Sequence, residues 1–344
     1  MEKLDIERKD STDSCKEMNL MIKVSCVSKT YKVPKKTYKR SLKNIIIKPY
    51  TEVYAVNNIS FNIEEGEIVG FVGLNGAGKT TTIKMLSGIL TPTNGEITVL
   101  GYIPYKERRE YTKKISVLMG QRSILFYDIP VIESLKFYKD VYELDNNEFK
   151  DRLDYLSGKL NLSSLLHIPV RKLSLGQRMK CEIVASILHN PKVIFLDEPT
   201  LGLDIISKQE ILEFFRYLNQ NFKTTIFLTT HDISDIDRFC KRIIIIDKGK
   251  IIYDGDINTI KERDKFKIVE ITHTNSFDAN NLITCNEYNL ISKEEYKSKI
   301  RVKKDKLNEF IDFVLHENDI LDININTISL EDILNGIYER SEHD

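Results

Sequence analysis

The spacing of hydrophobic residues changes several times along the chain, and each change predicts a different kind of secondary structure. Short apolar runs, rich in β-branched residues, predict strands at residues 21–27, 53–63, 68–71, 95–100, 115–119, 193–196, 225–229 and 243–246. Residues 132–166 and 175–188 instead repeat their apolar side chains every three or four positions, which predicts helices. This order indicates an α/β core that is interrupted by a helical block.

The stretch between the strand at 68–71 and a predicted helix at 81–90 reads Gly-Leu-Asn-Gly-Ala-Gly-Lys-Thr. It fits the pattern G-x-x-x-x-G-K-[ST] of the phosphate-binding P-loop, in the strand-to-helix context that the motif requires. Glycines let successive backbone N–H groups turn inward around a phosphate, and the helix N-terminus adds partial positive charge. A chance match in a glycine turn is the alternative. The residues assigned to nucleotide binding are Gly73, Asn75, Gly76, Ala77, Gly78, Lys79, Thr80 and Thr81.

Two side chains of this loop have distinct chemical tasks. The ammonium of Lys79 can reach the β- and γ-phosphates, and the hydroxyl of Thr80 can hold Mg²⁺. The helix that follows should bury one apolar face, which consists of Ile83, Leu86, Ile89 and Leu90.

The strand at 193–196 ends in two acids, Asp197 and Glu198. In a P-loop fold, Asp197 would hold Mg²⁺ directly or through water, and Glu198 would polarise the water that attacks the γ-phosphate. The alternative interpretation is a buried strand that ends in a solvated acidic pair. Upstream, Ser174 and Gly176 open a helix, and a hydroxyl, a backbone N–H and a helix dipole together form an anion site. An ordinary N-cap at Ser174 is compatible with that role.

The last part of the chain has a different pattern, which predicts a small α+β domain. Strands are expected at 266–272, 299–302 and 321–325, with helices at 307–315 and from a capping box at Ser329 onward. We therefore divide the chain into a disordered tail at 1–20, a nucleotide-binding domain at 21–261 and an accessory domain at 262–344. The helical subdomain is expected at about 121–190. We expect residues 1–261 to fold and bind nucleotide without the accessory domain.

Net charge, apolar runs and cysteine content limit the kinds of partner and the cell compartment that we expect. The 344 residues carry a formal net charge of zero, so nothing indicates a specific nucleic-acid partner. No apolar run reaches the length of a membrane span, and the polar start is unlike a signal peptide. The five scattered cysteines indicate reduced thiols in the cytosol. Residues 29–48 are rich in Lys and Arg, which predicts either a solvated loop or a contact with anionic lipid headgroups.

Taken together, the motifs resemble the nucleotide-binding subunit of an ATP-binding-cassette (ABC) transporter, over about residues 21–254. Residues 173–177 resemble the LSGGQ signature, with Leu175 in place of the third-position glycine. Residues 196–200 match the Walker B segment, and residues 201–204 match the D-loop. The remaining matches are Gln121 of the Q-loop and the switch histidine, His231. All of these motifs occur in the order that the family shows.

The resemblance implies a site that two chains share. Two cassettes would pair head to tail over two ATP molecules, so that Ser174 and Gly176 of one chain complete the other chain's site. The resemblance also implies that Asp204 of the D-loop binds ATP. Gln121 would touch Mg²⁺ and the attacking water, and His231 would contact the γ-phosphate. The implied metal ligands are Thr80, Gln121 and Asp197, the catalytic residues are Glu198, His231 and Gln121, and the cofactors are ATP and Mg²⁺. Tyr31 is the better match for the aromatic residue that stacks on adenine, and Tyr54 is the alternative.

The function that this resemblance implies is an ATP-hydrolysing subunit that powers a membrane exporter. Residues 120–130, together with residues 173–180, resemble the ABC-2-type branch more closely, which includes daunorubicin-like and viologen-like systems. The expected partners are a second copy of the chain and a separate transmembrane permease, at the cytoplasmic face of the membrane. The alternatives are a soluble ABC ATPase acting on a ribosome or on DNA, and a binding module without hydrolysis. Relatives that act on ribosomes carry two cassettes and DNA-repair relatives a long coiled coil, and neither pattern occurs here.

Family geometry also implies a groove near Gln121 that receives a short helix from the membrane subunit. Four apolar residues follow Gln121 closely and either line this groove or pack beneath the helical block. They are Phe126, Tyr127, Ile129 and Val131.

Overall fold

The computed structural model describes residues 19–34, 50–120, 123–230, 232–263, 266–274, 288–316, 320–327 and 329–334. The chain divides into two compact units, residues 1–254 and residues 255–344. The division expected from the sequence, between residues 261 and 262, would fall inside the helix Ile257–Arg263. Independent folding of residues 1–261 stays a prediction. Most of the expected tail and of the Lys- and Arg-rich segment, at residues 1–18 and 35–49, lies outside the described residues.

The first unit alternates strands and helices, as the sequence pattern predicts. Its strands are β1 (Leu20–Pro34), β2 (Tyr50–Glu64), β3 (Ile68–Val72), β4 (Asn94–Val99), β5 (Ile115–Met119), β6 (Val193–Asp197), β7 (Thr225–Thr229), β8 (Arg242–Asp247) and β9 (Lys250–Asp256). Its helices are α1 (Lys79–Leu86), α2 (Arg108–Thr112), α3 (Val131–Val141), α4 (Asn146–Lys159), α5 (Leu175–Ile187), α6 (Ile205–Phe222) and α7 (Ile233–Phe239). None of the described helices combines the length and hydropathy needed to cross a bilayer.

Six of these strands form one sheet, in the order β5-β6-β7-β3-β8-β9. The neighbours from β5 to β8 run parallel, so their carboxyl ends meet at one edge of the sheet. The loops after β3, β6 and β7 begin at this edge, and ligands of open α/β sheets bind there. The sheet topology therefore explains why the P-loop and the acidic pair lie together.

A smaller antiparallel sheet, ordered β2-β1-β4, packs against the parallel one. Phe61 of β2 lies between the two layers, with its ring centroid 6.1 Å from Phe71 of β3 and 6.0 Å from Phe227 of β7. All three rings are buried. Burial of an aromatic side chain of this size stabilises a fold by about 2–3 kcal/mol. This aromatic cluster is therefore a major packing contact between the two sheets.

The helical block consists of α3, α4 and the first part of α5. The predicted apolar faces are confirmed, because Phe149 and Leu153 of α4 and Met179 and Ile183 of α5 are buried. The single helical stretch expected at 132–166 is two helices. Asp145 separates them, because its carboxylate accepts hydrogen bonds of 2.8 Å from the backbone N–H groups of residues 147 and 148 and so caps α4.

Helix α1 is shorter at its end than the sequence predicts. It stops at Leu86, and Gly88 adopts a φ of +74° where a Cβ atom would lie 2.4 Å from the carbonyl oxygen of Pro104. The chain leaves the helix at this glycine. The expectation that Ile89 belongs to the buried face was therefore wrong, and its side chain is exposed.

The second unit is a small α+β fold, as the sequence predicts. It contains α8 (Ile257–Arg263), β10 (Phe266–His273), β11 (Tyr288–Lys293), β12 (Lys297–Lys303), α9 (Leu307–Leu315) and β13 (Ile320–Thr327), followed by helical residues 330–334. The antiparallel sheet has the order β11-β12-β10-β13. Its core is formed by Val269, Ile271, Ile300, Val302, Phe310 and Val314.

Two details of the second unit test the expected pattern. The capping box at Ser329 is confirmed, because its hydroxyl accepts from the N–H of Asp332 and its own N–H donates to that carboxylate. The half-buried alternation expected for β13 holds only for Ile323, which packs on the core. Leu321 and Ile325 are exposed. The register with β10 is irregular beside Leu321, where Ile320 packs on the core instead.

Candidate nucleotide site

The P-loop follows β3 directly and leads into α1. Gly78 begins this helix with a φ of +115°, and a Cβ atom there would lie 2.5 Å from the carbonyl oxygen of Ala55. A Cβ atom on Gly73 would lie 2.3 Å from the carbonyl oxygen of Ile246. Neither position accepts a larger residue without moving backbone, because carbonyl oxygens cannot yield like a side chain. The two glycines therefore hold the loop tightly against β2 and β8.

Lys79 is buried within this loop. Its ammonium donates hydrogen bonds to the carbonyl oxygens of Gly73, at 2.6 Å, and Leu74, at 3.2 Å. Burial lowers the pKa of Lys79, while the carboxylates of Glu198 and Asp197 raise it. An anion such as a phosphate would add favourable charge at this position.

The acidic pair lies at the end of β6, where two neighbouring strands fix it. The Asp197 carboxylate accepts a hydrogen bond of 2.6 Å from the Thr229 hydroxyl of β7. The Glu198 N–H donates to the carbonyl oxygen of Thr229 at 2.9 Å. Glu198 has a φ of +53°, a left-handed conformation that costs a non-glycine residue on the order of 1 kcal/mol. On the other side, a Cβ atom on Gly120 would lie 2.2 Å from the Glu198 carbonyl oxygen, so the β5 end approaches closely.

One cleft of about 920 Å³ collects most of the residues assigned to the nucleotide. Its lining includes Tyr31 of β1, whereas Tyr54 is not among the lining residues. Lys29 places its ammonium 5.6 Å from the centre of the Tyr31 ring. From the P-loop, the acidic pair and the end of β5 the cleft is lined by Asn75, Gly76, Gly78, Lys79, Thr80, Thr81, Met119, Gly120, Asp197 and Glu198. Ser174, Gly176 and Asp204 are not among the lining residues.

The signature segment forms the N-terminus of α5. The Ser174 hydroxyl accepts from the Gln177 N–H at 3.2 Å, and the Gln177 side chain accepts from the Ser174 N–H at 3.0 Å, which is a complete capping box. Gly176 lies against α6, where its Cβ would meet the Ser207 hydroxyl at 2.3 Å. Leu175, which replaces a signature glycine, packs beside Gly202.

The D-loop forms the N-terminus of α6 in the same way. The Asp204 carboxylate accepts from the backbone N–H of Ser207 at 2.9 Å and from its hydroxyl at 2.7 Å. These hydrogen bonds, that of the backbone first, lower the pKa of Asp204. Asp204 therefore stays ionised beside the first turn of α5.

Two residues expected at the site, Gln121 and His231, lie outside the described residues. Their flanking segments are described: Gly120 is fixed by Asp197, whose carbonyl oxygen accepts from its N–H at 2.9 Å, and the Thr230 hydroxyl accepts from the Asp232 N–H at 3.0 Å. Their assigned roles stay predictions.

Sequence reasoning missed several polar residues around this edge of the sheet. Thr229 binds Asp197, and Thr200 donates to the buried carboxylate of Asp235 at 2.9 Å. Lys208 forms ion pairs with Asp232 and Asp235. Each lies far from its partner in sequence, so no local motif marks these pairs.

Comparison with known proteins agrees with this geometry. The sequence profile of the ABC transporter family matches residues 56–201. The chain is 35% identical over 213 residues to the ABC transporter ATP-binding protein NatA of Bacillus subtilis, covering 62% of this chain and 86% of that protein. It is 30% identical over 295 residues to the bacitracin transport ATP-binding protein BcrA of Bacillus licheniformis, covering 83% of this chain and 93% of that protein.

Solved structures agree as well. The fold matches cbiO1 from Clostridium perfringens, part of an ABC transporter complex, with a TM-score of 0.60 and 25% identity, over 71% of this chain and 92% of that one. It also matches a dimeric ATP-binding cassette in a post-hydrolysis state bound to ADP and Pi, with a TM-score of 0.58 and 26% identity. This match covers 69% of this chain and 99% of that one. The P-loop, the acidic pair and the capped signature helix thus occur in a chain that belongs to the ATP-binding subunits of ABC transporters, which are ATPases that work as dimers.

Proposed function

We propose that the chain powers an ABC-2-type exporter from the cytoplasmic face of a membrane, through a separate transmembrane permease. The observation that carries this proposal is the cleft at the carboxyl edge of the sheet, where Lys79, Thr80, Asp197 and Glu198 converge. The similarity to the bacitracin transport ATP-binding protein BcrA supports a role in transport.

The cleft suits Mg²⁺ and ATP in its donor chemistry. Mg²⁺ prefers hard oxygen ligands and is usually held by one or two carboxylates together with substrate phosphates. The Thr80 hydroxyl and the Asp197 carboxylate supply such oxygens, and Gln121 would add an amide oxygen. When bound, the ion would neutralise charge on the β- and γ-phosphates. Lys79 would hold those phosphates, and the Tyr31 ring would stack on the adenine.

In the proposed hydrolysis step, Glu198 orients and polarises the attacking water. Its backbone is fixed by β7 and by Gly120, so the carboxylate starts from a defined position. His231 would contact the γ-phosphate, and Gln121 would touch the same water. A positioned acid–base residue typically contributes a factor of 10² to 10⁴ in rate.

A second chain would complete the site. Ser174, Gly176 and Asp204 lie outside the cleft of their own chain, although the family assigns them to nucleotide binding. In a head-to-tail homodimer, the Ser174 hydroxyl and the Gly176 N–H would face the γ-phosphate held by the partner. The match to a dimeric cassette bound to ADP and Pi supports this arrangement.

The permease would contact the exposed apolar residues after Gln121. Phe126 is 43% exposed and Tyr127 is 58% exposed, although Val131, in the same segment, is fully buried. The Phe126 ring lies edge-on to Phe137 of α3, 5.1 Å between centroids, and Phe137 is exposed as well. Aromatic residues that remain exposed on a surface are typical anchors of protein interfaces. Val131 packs the helical block, whereas Phe126 and Tyr127 would line the groove.

The chemical part of the proposal is tested with Glu198→Gln, which keeps the size of the side chain and removes its charge. ATP turnover should fall by about 100-fold or more, with ATP affinity near normal, and ATP should trap a dimer. Phosphate release, titration calorimetry and analytical ultracentrifugation measure the three effects. Turnover near that of the unmodified chain would remove Glu198 from the hydrolysis step.

The transport part is tested with Phe126→Asp. The isolated chain should keep its ATPase activity and melting temperature, because the ring is partly exposed and packs on Phe137, which is itself exposed. Binding to the permease and transport should fail. Leu315→Asp, at a more exposed apolar position of the second unit, is the control. Joint loss of stability and ATPase activity would instead assign Phe126 to packing.

A further inference from the structure

Lys208 and Asp235 join three segments of the first unit. This lysine lies in the first turn of α6, and its backbone N–H donates to the carbonyl oxygen of Asp204 at 3.0 Å. The ammonium forms an ion pair with Asp232, the N-cap of α7, and a second one of 2.8 Å with Asp235. Lys208 thus joins the helix that carries the D-loop to the helix that follows His231.

The third segment is the one directly after the acidic pair. The Thr200 hydroxyl donates a hydrogen bond of 2.9 Å to Asp235, whose side chain is buried. Lys208 and Thr200 therefore bind the two different oxygens of one carboxylate. A buried carboxylate needs both kinds of partner, because it is costly to desolvate.

The described residues on either side of position 231 are held by side-chain hydrogen bonds and an ion pair. Upstream, Thr229 binds the Asp197 carboxylate at 2.6 Å. Downstream, one oxygen of Asp232 accepts from the Ser234 N–H at 3.0 Å while the other pairs with Lys208. Although partial burial raises it, the hydrogen bonds from Lys208 and Ser234 lower the pKa of Asp232 to about 2, so the ion pair persists at neutral pH.

We propose that Lys208 is a positioning residue for ATP hydrolysis, which holds the segment of His231 in register with the acidic pair and the D-loop. Lys208 does not line the nucleotide cleft, so it acts through Asp232, Asp235 and Thr200. The inference rests on the proposed role of His231 and extends it, because it identifies contacts that hold the residues flanking that position. It also ties each chain's own hydrolysis step to Asp204, which would face the partner chain.

The test replaces Lys208 with methionine, which keeps the length and packing of the side chain but removes its charge. We expect kcat for ATP to fall by about 10- to 100-fold, because small displacements of a reacting group have large effects on rate. The KM for ATP and the dissociation constant of ATP should stay within about threefold, because the P-loop contacts are unchanged. Lys208→Arg should recover at least half of the kcat, because it restores the positive charge.

Lys180→Met is the matched control. Lys180 also forms an ion pair to α6, with Glu210, and its side chain is 15% exposed compared with 20% for Lys208. We expect kcat within twofold for this control. A similar loss of kcat in both variants would overturn the proposal, because it would reduce Lys208 to general support of α6.

Two further variants separate position from stability. Lys208→Met combined with Asp235→Asn removes the charge that the single variant leaves buried, so the melting temperature should recover while kcat stays low. Recovery of both the melting temperature and kcat would overturn the proposal.

Thr200→Val removes one hydrogen bond at nearly constant volume and should lower kcat without changing KM. Full activity of Lys208→Met would by itself overturn the proposal, and full activity of Thr200→Val would remove Thr200 from the linkage.

Failure of the underlying function gives a different result. His231→Ala reports on the histidine itself. Normal turnover in His231→Ala together with reduced turnover in Lys208→Met would remove His231 from the mechanism and overturn the proposed linkage to it. Loss of kcat in both, with nucleotide binding retained, is the expected result.

Discussion

Helices α1 and α5 both begin at a site assigned to phosphate, but their first turns are built differently. Helix α1 begins at Gly78 with no side-chain hydrogen bond at its cap. Helix α5 begins at Ser174 with a complete capping box to Gln177. The first N–H groups of a helix have no intrahelical acceptor, so a helix without a capping side chain presents them to an anion.

This difference indicates how each helix would bind phosphate. Helix α1 would use backbone N–H groups and the charge of Lys79, and its contacts lie within one chain. In α5 the Ser174 oxygen already accepts from Gln177, but a hydroxyl retains its own hydrogen to donate. The capped helix therefore keeps its shape without ligand and adds its hydroxyl when the partner chain presents a phosphate. Helix α1 should therefore determine most of the affinity for ATP, and helix α5 should control closure of the dimer.

The largest effect should come from a change in α1, and it should be a loss of ATP affinity. Lys79→Ala removes the buried ammonium, and we expect ATP to bind about 100-fold more weakly, because a hydrogen bond to a charged group contributes about 1.5–3 kcal/mol. Titration calorimetry measures this loss. Lys84→Ala, also on α1 and in the cleft, should change affinity less than threefold. Equal losses from the two lysines would indicate only a general effect of positive charge.

A change at the start of α5 should have a smaller effect, on the dimer and not on ATP binding by the single chain. Ser174→Ala should leave the ATP affinity of the single chain unchanged and weaken the ATP-bound dimer of the Glu198→Gln background by about tenfold. It should also cost about 1 kcal/mol of stability through the lost cap. Gln177→Ala keeps the hydroxyl, so its dimer should stay within threefold in ultracentrifugation. Equal weakening by both variants would assign Ser174 to capping alone.

The third variant should affect stability alone, with no direct effect on nucleotide binding. Gly176→Ala places a methyl group 2.3 Å from the Ser207 hydroxyl and 2.8 Å from its Cβ atom, so we expect a loss of about 1–3 kcal/mol by overpacking. Gly158→Ala in α4 meets no atom within 4 Å and should stabilise the chain by about 0.5–1 kcal/mol. Thermal unfolding compares the two. A neutral Gly176→Ala would show that α5 and α6 can separate at low cost.

The P-loop half of the site could be predicted from the sequence, because its chemistry depends on residues that are adjacent in the chain. The strand before Gly73 and the helix after it are short-range features, and so is the acidic end of β6. The cap at Ser174 was also predictable, because Gln177 lies three residues later.

The Lys208 cluster could not be predicted, because its members come from three separate segments. Thr200 and Asp235 are 35 positions apart. The first two residues of α6, Ile205 and Ile206, are apolar but exposed, and they obscure the helical spacing of the buried residues that follow. Only the fold brings these side chains together.

The position of β3 in the sheet has a consequence for synthesis. This strand lies between β7 and β8, which follow it by more than 150 residues, as the pairs Ile68 with Ile226 and Val69 with Arg242 show. A nascent chain that has just passed the P-loop lacks both neighbours of β3 and also Ile246, against which Gly73 packs. Because domains emerge from the ribosome amino terminus first, the complete motif waits for most of the first unit before it gains its shape. A ribosome-bound chain that ends before β8 should therefore carry the whole P-loop sequence and yet bind no nucleotide.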